Sequence, residues 1–168
     1  MTYIGAFILF AACLVQSVVL PQAVPLQARP QFVVLFVIAV CMVESLHDAA
    51  IWGFIGGLML DFMNAPMYPL GSNALILVLV ALLASLGRVS PFRHRLVLPL
   101  AMAFGGTLFY IMMTMALRYA LGLDVAFFDN MLWVALPSAI LNTILMPVVY
   151  SSMLWLSLKV GRRVPVEW

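Results

Sequence analysis

Asp61 is the side chain of this protein best placed to do chemistry. It lies in the run Ala-Ala-Ile-Trp-Gly-Phe-Ile-Gly-Gly-Leu-Met-Leu-Asp-Phe-Met-Asn-Ala, residues 49–65, whose only other polar residue is Asn64. A carboxylate in such a run is costly to insert into lipid, about 2.5–3.5 kcal/mol at mid-depth, and ordinarily has a partner or a task. Three uses are open to it: a hydrated or hydrogen-bonded place near the interface, a contact with another helix of this chain or of a partner, or proton or ion transport. Transport needs a relay, and the remaining acids do not supply one, because Glu44 and Asp48 fall at the opposite end of the helices involved. Glu44, His47 and Asp48 have the residue types of a metal or acid–base cluster. With one histidine among them, at a turn between apolar runs, they read as a solvated turn.

Other polar residues inside apolar runs are Ser138, Asn142 and Thr143, and Thr107 and Thr114. Such groups commonly hydrogen-bond between membrane helices, and that reading is preferred to a ligand pocket. Cys13 and Cys41 sit in apolar stretches and read as small fillers rather than a disulfide or metal pair. The chain has no His-Glu-x-x-His zinc motif, no Gly-x-Ser-x-Gly elbow and no Gly-rich loop followed by Lys-Ser or Lys-Thr. No cofactor site and no enzyme activity are expected. No basic run with interleaved aromatics suggests nucleic acid.

The elements that position these residues follow from composition. Of 168 residues 66% are apolar and 8% charged, and the mean hydropathy is +1.17. Soluble domains carry about 25% charged residues. Eight basic and six acidic side chains could not solvate a core this large, so the class is all-α integral membrane protein, one domain over residues 1–168. Six spans are expected, over residues 3–20, 31–46, 49–65, 72–86, 96–121 and 130–158. The opening residues lack the Lys or Arg of a signal peptide, so the first span is expected to stay in the membrane. Asp48 is the expected N-cap of the third helix, and Ser72 or Asn73 that of the fourth. Pro137 and Pro147 fall inside the sixth and predict kinks.

Within the third helix Ala49, Gly53, Gly57 and Asp61 recur every four residues and share one face. Small residues at that spacing let another helix approach closely. This helix is therefore read as the centre of the molecule, and its glycine groove as a docking surface. Lys and Arg favour the cytoplasmic side. Arg88, Arg93 and Arg95 follow span four, and Lys159, Arg162 and Arg163 follow span six, so six spans put both groups and both termini inside. Arg29 and Arg118 fall outside, near Asp124 and Asp129.

Gly53, Phe54, Gly57, Leu58 and Asp61, in Gly-Phe-Ile-Gly-Gly-Leu-Met-Leu-Asp, resemble the pattern of the rod shape-determining MreD family. That pattern is Gly-Phe, two variable residues, Gly-Leu, two more, then Asp. A Pro-Gly turn and an Ala-Leu helix start follow it, here from Pro69 and Gly71 to Leu75. Arg29-Pro30 before span two is also similar, although Gln31 stands where the family often has Asp. The length, the six spans and the lack of a soluble domain match along nearly the whole chain.

The resemblance implies a six-helix fold similar to the substrate-binding subunits of energy-coupling factor transporters. It implies a non-enzymatic scaffold of the bacterial cell-elongation complex in the inner membrane. Such a scaffold binds MreC and supports RodA, its class B penicillin-binding partner and MreB in peptidoglycan synthesis and cell-shape maintenance. The alternative is a vitamin-binding subunit of an energy-coupling factor transporter. That reading needs convergent polar groups, for which Asn64, Thr107, Thr114 and Asn142 are sparse material.

Overall fold

The computed structural model describes residues 2–19, 30–63, 69–88, 97–123 and 127–159. These residues form six helices and, among them, no strand. Helix α1 is Thr2–Leu14 and continues as a π segment, Val15–Val19. Helix α2 is Phe32–Val43, α3 is Leu46–Met63, α4 is Ser72–Arg88 and α5 is Val97–Ala120. Helix α6 joins a short turn, Phe127–Asn130, a π segment, Met131–Ala135, and the long helix Leu136–Lys159.

Two of these helices, Val97–Ala120 and Met131–Lys159, are long and apolar enough to cross a membrane; Gly5–Val18, Phe32–Val43 and Ser72–Gly87 are shorter and apolar. Large apolar side chains are exposed on the outside of several helices, among them Phe7, Phe54, Phe62, Leu82, Trp133, Ile144 and Trp155. Exposed apolar surface on that scale marks a contact face rather than a water-facing exterior.

The helix at the centre is α2, not α3. Ten of its twelve residues are buried, and it touches all five other helices. The sequence Phe-Val-Val-Leu-Phe-Val-Ile-Ala-Val-Cys-Met-Val has no polar face, and a helix apolar all round belongs inside. Helix α3 is two-sided. Ala49, Gly53, Gly56, Gly57, Leu60 and Asp61 are buried, while Ile51, Phe54, Ile55 and Phe62 face outward.

The α2–α3 turn is capped by Ser45, one turn earlier than expected. The Ser45 hydroxyl accepts from the Asp48 amide at 3.1 Å and donates to the Asp48 carboxylate at 2.7 Å. Helix α3 therefore starts at Leu46, and Asp48 is its third residue, where a carboxylate still favours the helix N-terminus.

In α6, helix continues through both prolines. The π segment ends two residues before Pro137, and the Leu136 amide bonds back five residues to the Met131 carbonyl. A π turn is one way to relieve the clash of a proline ring with the carbonyl four residues earlier.

Candidate functional site

The four-residue stripe on α3 does lie on one buried face, and the helix against it is α4 of the same chain. A Cβ on Gly57 would stand 2.2 Å from the Ala74 Cα and 2.4 Å from its nitrogen. A Cβ on Gly53 would stand 3.2 Å from the Leu77 carbonyl oxygen. The pairs Gly57–Ala74 and Gly53–Leu77 run in opposite chain directions, so α3 and α4 are antiparallel and nearly in backbone contact. No pair of helices in the bundle touches more extensively.

Asp61 closes this pair at its end. It is 2% exposed, and its Oδ2 accepts from the Gly71 amide at 2.9 Å. Its Oδ1 accepts from the Asn73 amide at 3.1 Å and the Asn73 Nδ2 at 2.8 Å. The first amides of a helix have no partner in their own helix, and the N-terminus carries a partial positive charge. Asp61 is thus the cap of α4, supplied by another helix. Ser72 does not do this, because its hydroxyl donates to the Pro69 carbonyl at 2.6 Å. Asn73 instead passes the network on, its Oδ1 accepting from the Tyr110 hydroxyl of α5 at 2.6 Å. Gly71 has φ +95°, a conformation suited to glycine, and this orients its amide toward the carboxylate.

A second knot lies at the start of α2. Asn142 of α6 is fully buried; its Oδ1 accepts from the Gln31 amide at 2.9 Å and its Nδ2 donates to Thr107 of α5 at 2.9 Å. Gln16, in the π segment of α1, accepts from the Val33 amide at 3.1 Å and donates to the Gln31 side chain at 2.9 Å. The expected interhelical bonds therefore hold for Asn142 and Thr107. Thr114 and Thr143 instead donate to carbonyls four residues back in their own helices, Tyr110 and Ala139.

Of the other residues singled out in the sequence, Phe54 is 52% exposed, Leu58 is half-buried, Pro30 is buried and Pro69 is exposed at the turn. Arg29 and Asn64 lie outside the described residues, as do Arg93, Arg95, Arg162, Arg163 and Asp124 on which the orientation rests. Glu44, His47 and Asp48 form no metal-holding group, nor does any other set among the described residues. Cys13 and Cys41 are buried and not joined in a disulfide; their thiols donate to the Gly56 and Ala81 carbonyls.

Sequence reasoning assigned no role to Gly56, Gln16 or Tyr110, and took Gln31 only as a departure from the family pattern. Gly56 lies on the other inner side of α3, where a Cβ would meet Leu9 of α1 and Val33 of α2 at 3.0 Å. Its signal was present in the adjacent glycines 56 and 57, which face different neighbours on a helix. Tyr110 carried no signal, since only the fold brings it to Asn73.

The arrangement ties helix ends to neighbouring helices. The Asp61 carboxylate is held by three donors within the protein, two of them backbone amides at the start of α4 and the third the Asn73 side chain. No family model, curated protein or solved structure matches the chain.

Proposed function

We propose that the chain is a six-span inner-membrane protein, with both termini cytoplasmic, that acts as a non-enzymatic scaffold of the bacterial elongation complex. In this reading it binds MreC directly and through it supports RodA, the class B penicillin-binding protein and MreB. The observation that carries the reading is convergence. Four of the residues on which the MreD resemblance rests, Gly53, Gly57, Asp61 and Gly71, meet in one clamp between α3 and α4. A pattern shared for its function would need a common framework, and this clamp is one.

The clamp also moves the docking surface. The face lined by Gly53 and Gly57 is filled by α4, so a partner helix has to use the opposite side of α3. Phe54 is the residue of the same motif that faces outward, beside Ile51, Ile55 and Phe62. Aromatic anchors of this kind carry a large share of interface energy.

The vitamin-binding alternative is less well supported. Asn142 and Thr107 bond to each other and Thr114 bonds to its own helix, so these groups do not converge on a ligand.

Co-purification tests the reading. A tagged chain should bring MreC of the same organism out of solubilised membranes, and Phe54→Ala should lower the yield while the protein stays folded. Wild-type chain that recovers no MreC, in cells that keep their rod shape without it, would overturn the assignment.

A further inference from the structure

A groove of about 570 Å³ runs between α1, α2 and α6. Buried Phe36 and Met153 make its floor, and exposed Ile8 and Trp155 stand at its edges. Ser152 also lines it, but its hydroxyl donates to the Val148 carbonyl at 2.7 Å, so that proton is not offered to a ligand. A trough with walls this apolar does not hold ordered water well, because water needs polar partners. Its volume falls within the range of about 300–1,000 Å³ typical of small-molecule sites.

Two further observations say what fills it. On α6 the groove starts at Val149, ten residues before Lys159, or about 15 Å along the helix. That is about half of a 30 Å hydrocarbon core, the depth of one leaflet. At the end of this length the Lys159 ammonium lies 4.0 Å from the centre of the Trp155 ring. Tryptophan and lysine are the side chains that settle at the lipid headgroup level. An apolar trough lined on α6 from Val149 to Leu156, with a cation less than one helical turn beyond it, complements a molecule with one long apolar chain and an anionic head.

We propose that the groove holds one acyl chain of an anionic phospholipid, with the phosphate at the Lys159 ammonium. The inference rests on the membrane-spanning reading above, under which Lys159 lies at the cytoplasmic leaflet, where anionic lipids are concentrated. Phe36 of the central helix forms part of the floor, so the bound chain touches the core of the bundle as well as its outside.

Native mass spectrometry of the full chain, titrated with palmitoyl-oleoyl phosphatidylglycerol or phosphatidylcholine, tests it. The wild type should retain phosphatidylglycerol roughly five-fold over phosphatidylcholine, the preference expected of one cation near the headgroup. Lys159→Gln should remove that preference. Ser152→Trp, at an exposed position that fills the trough, should lower retention of both lipids. Equal retention of the two lipids by the wild type, or an unchanged preference in Lys159→Gln, would overturn the site. Carbonate washing of membranes containing the wild type separates this from the reading beneath it. Protein released by the wash defeats both, whereas protein that stays but shows no lipid preference defeats the lipid site alone.

Discussion

Two helix starts in this molecule, those of α4 and α2, meet the same need with different chemistry. Each has amides without partners in its own helix, and each is served by a side chain from a helix elsewhere in the bundle. At α4 a carboxylate, Asp61, accepts three hydrogen bonds. At α2 two neutral amides, Asn142 and Gln16, divide the work between Gln31 and Val33. A helix start packed inside the bundle has little water to take over an orphaned amide, so each start depends on its neighbour. Charge-assisted bonds are roughly twice as strong as neutral ones, which places the greater stake at α4. Close contact is added there too, since Gly57 lets the α3 and α4 backbones meet before Asp61 locks their ends. At α2 the buried apolar surface of the helix does most of the holding, and the amides only complete it.

Substitutions can break this contrast. Gly57→Leu should have the largest effect, above about 4 kcal/mol, because its Cβ alone would overlap backbone that cannot turn aside. Thermal unfolding in detergent should show loss of the folded state, whereas Gly56→Ala, which meets only side-chain ends, should remain folded.

Asp61→Ala comes next. It orphans the Gly71 amide, the Asn73 amide and the Asn73 Nδ2, and should cost about 3–6 kcal/mol. Asp61→Asn should recover part of that loss. An Asp61→Ala protein with wild-type melting would show that α4 needs no cap from α3.

Asn142→Ala should cost less, about 1–3 kcal/mol, since Thr107 keeps its bond to the Ala103 carbonyl and only the Gln31 amide is left without a partner. A larger loss here than at Asp61, in the same denaturation series, would reverse the ranking of the two starts. The smallest effect is expected at Gly105→Ala, where an added Cβ meets nothing within 4 Å. Replacing a helical glycine there should raise stability by up to about 1 kcal/mol, read as a higher melting temperature.

Much of the fold was legible before any coordinates. The apolar runs and the prolines and glycines between them marked the helices to within a few residues, α5 expected over 96–121 and found at Val97–Ala120. The error at α3 had a local cause: Ser45 competes with Asp48 for the cap, and serine one turn earlier captures the amide of Asp48 itself. The misplaced centre had a different one. A glycine stripe says that another helix comes close, but close approach to a single neighbour is not the same as being surrounded. The all-apolar face of α2 carried that second message.

Periodicity by itself determined that Ala49, Gly53, Gly57 and Asp61 share a face, because 3.6 residues per turn leaves no freedom in the matter. It also determined that so apolar a chain must form helices that expose hydrocarbon. Which helix fills the groove was decided only by the tertiary structure. A helix from this chain and one from a partner would satisfy the same small-residue spacing, and nothing in one-dimensional order distinguishes them. Likewise the three donors on Asp61 come from a turn ten residues away and a helix start beyond it, and Tyr110 joins them across another 37 positions. Hydrogen bonds over such separations depend on how whole helices seat against one another, a property that no local run of residues contains.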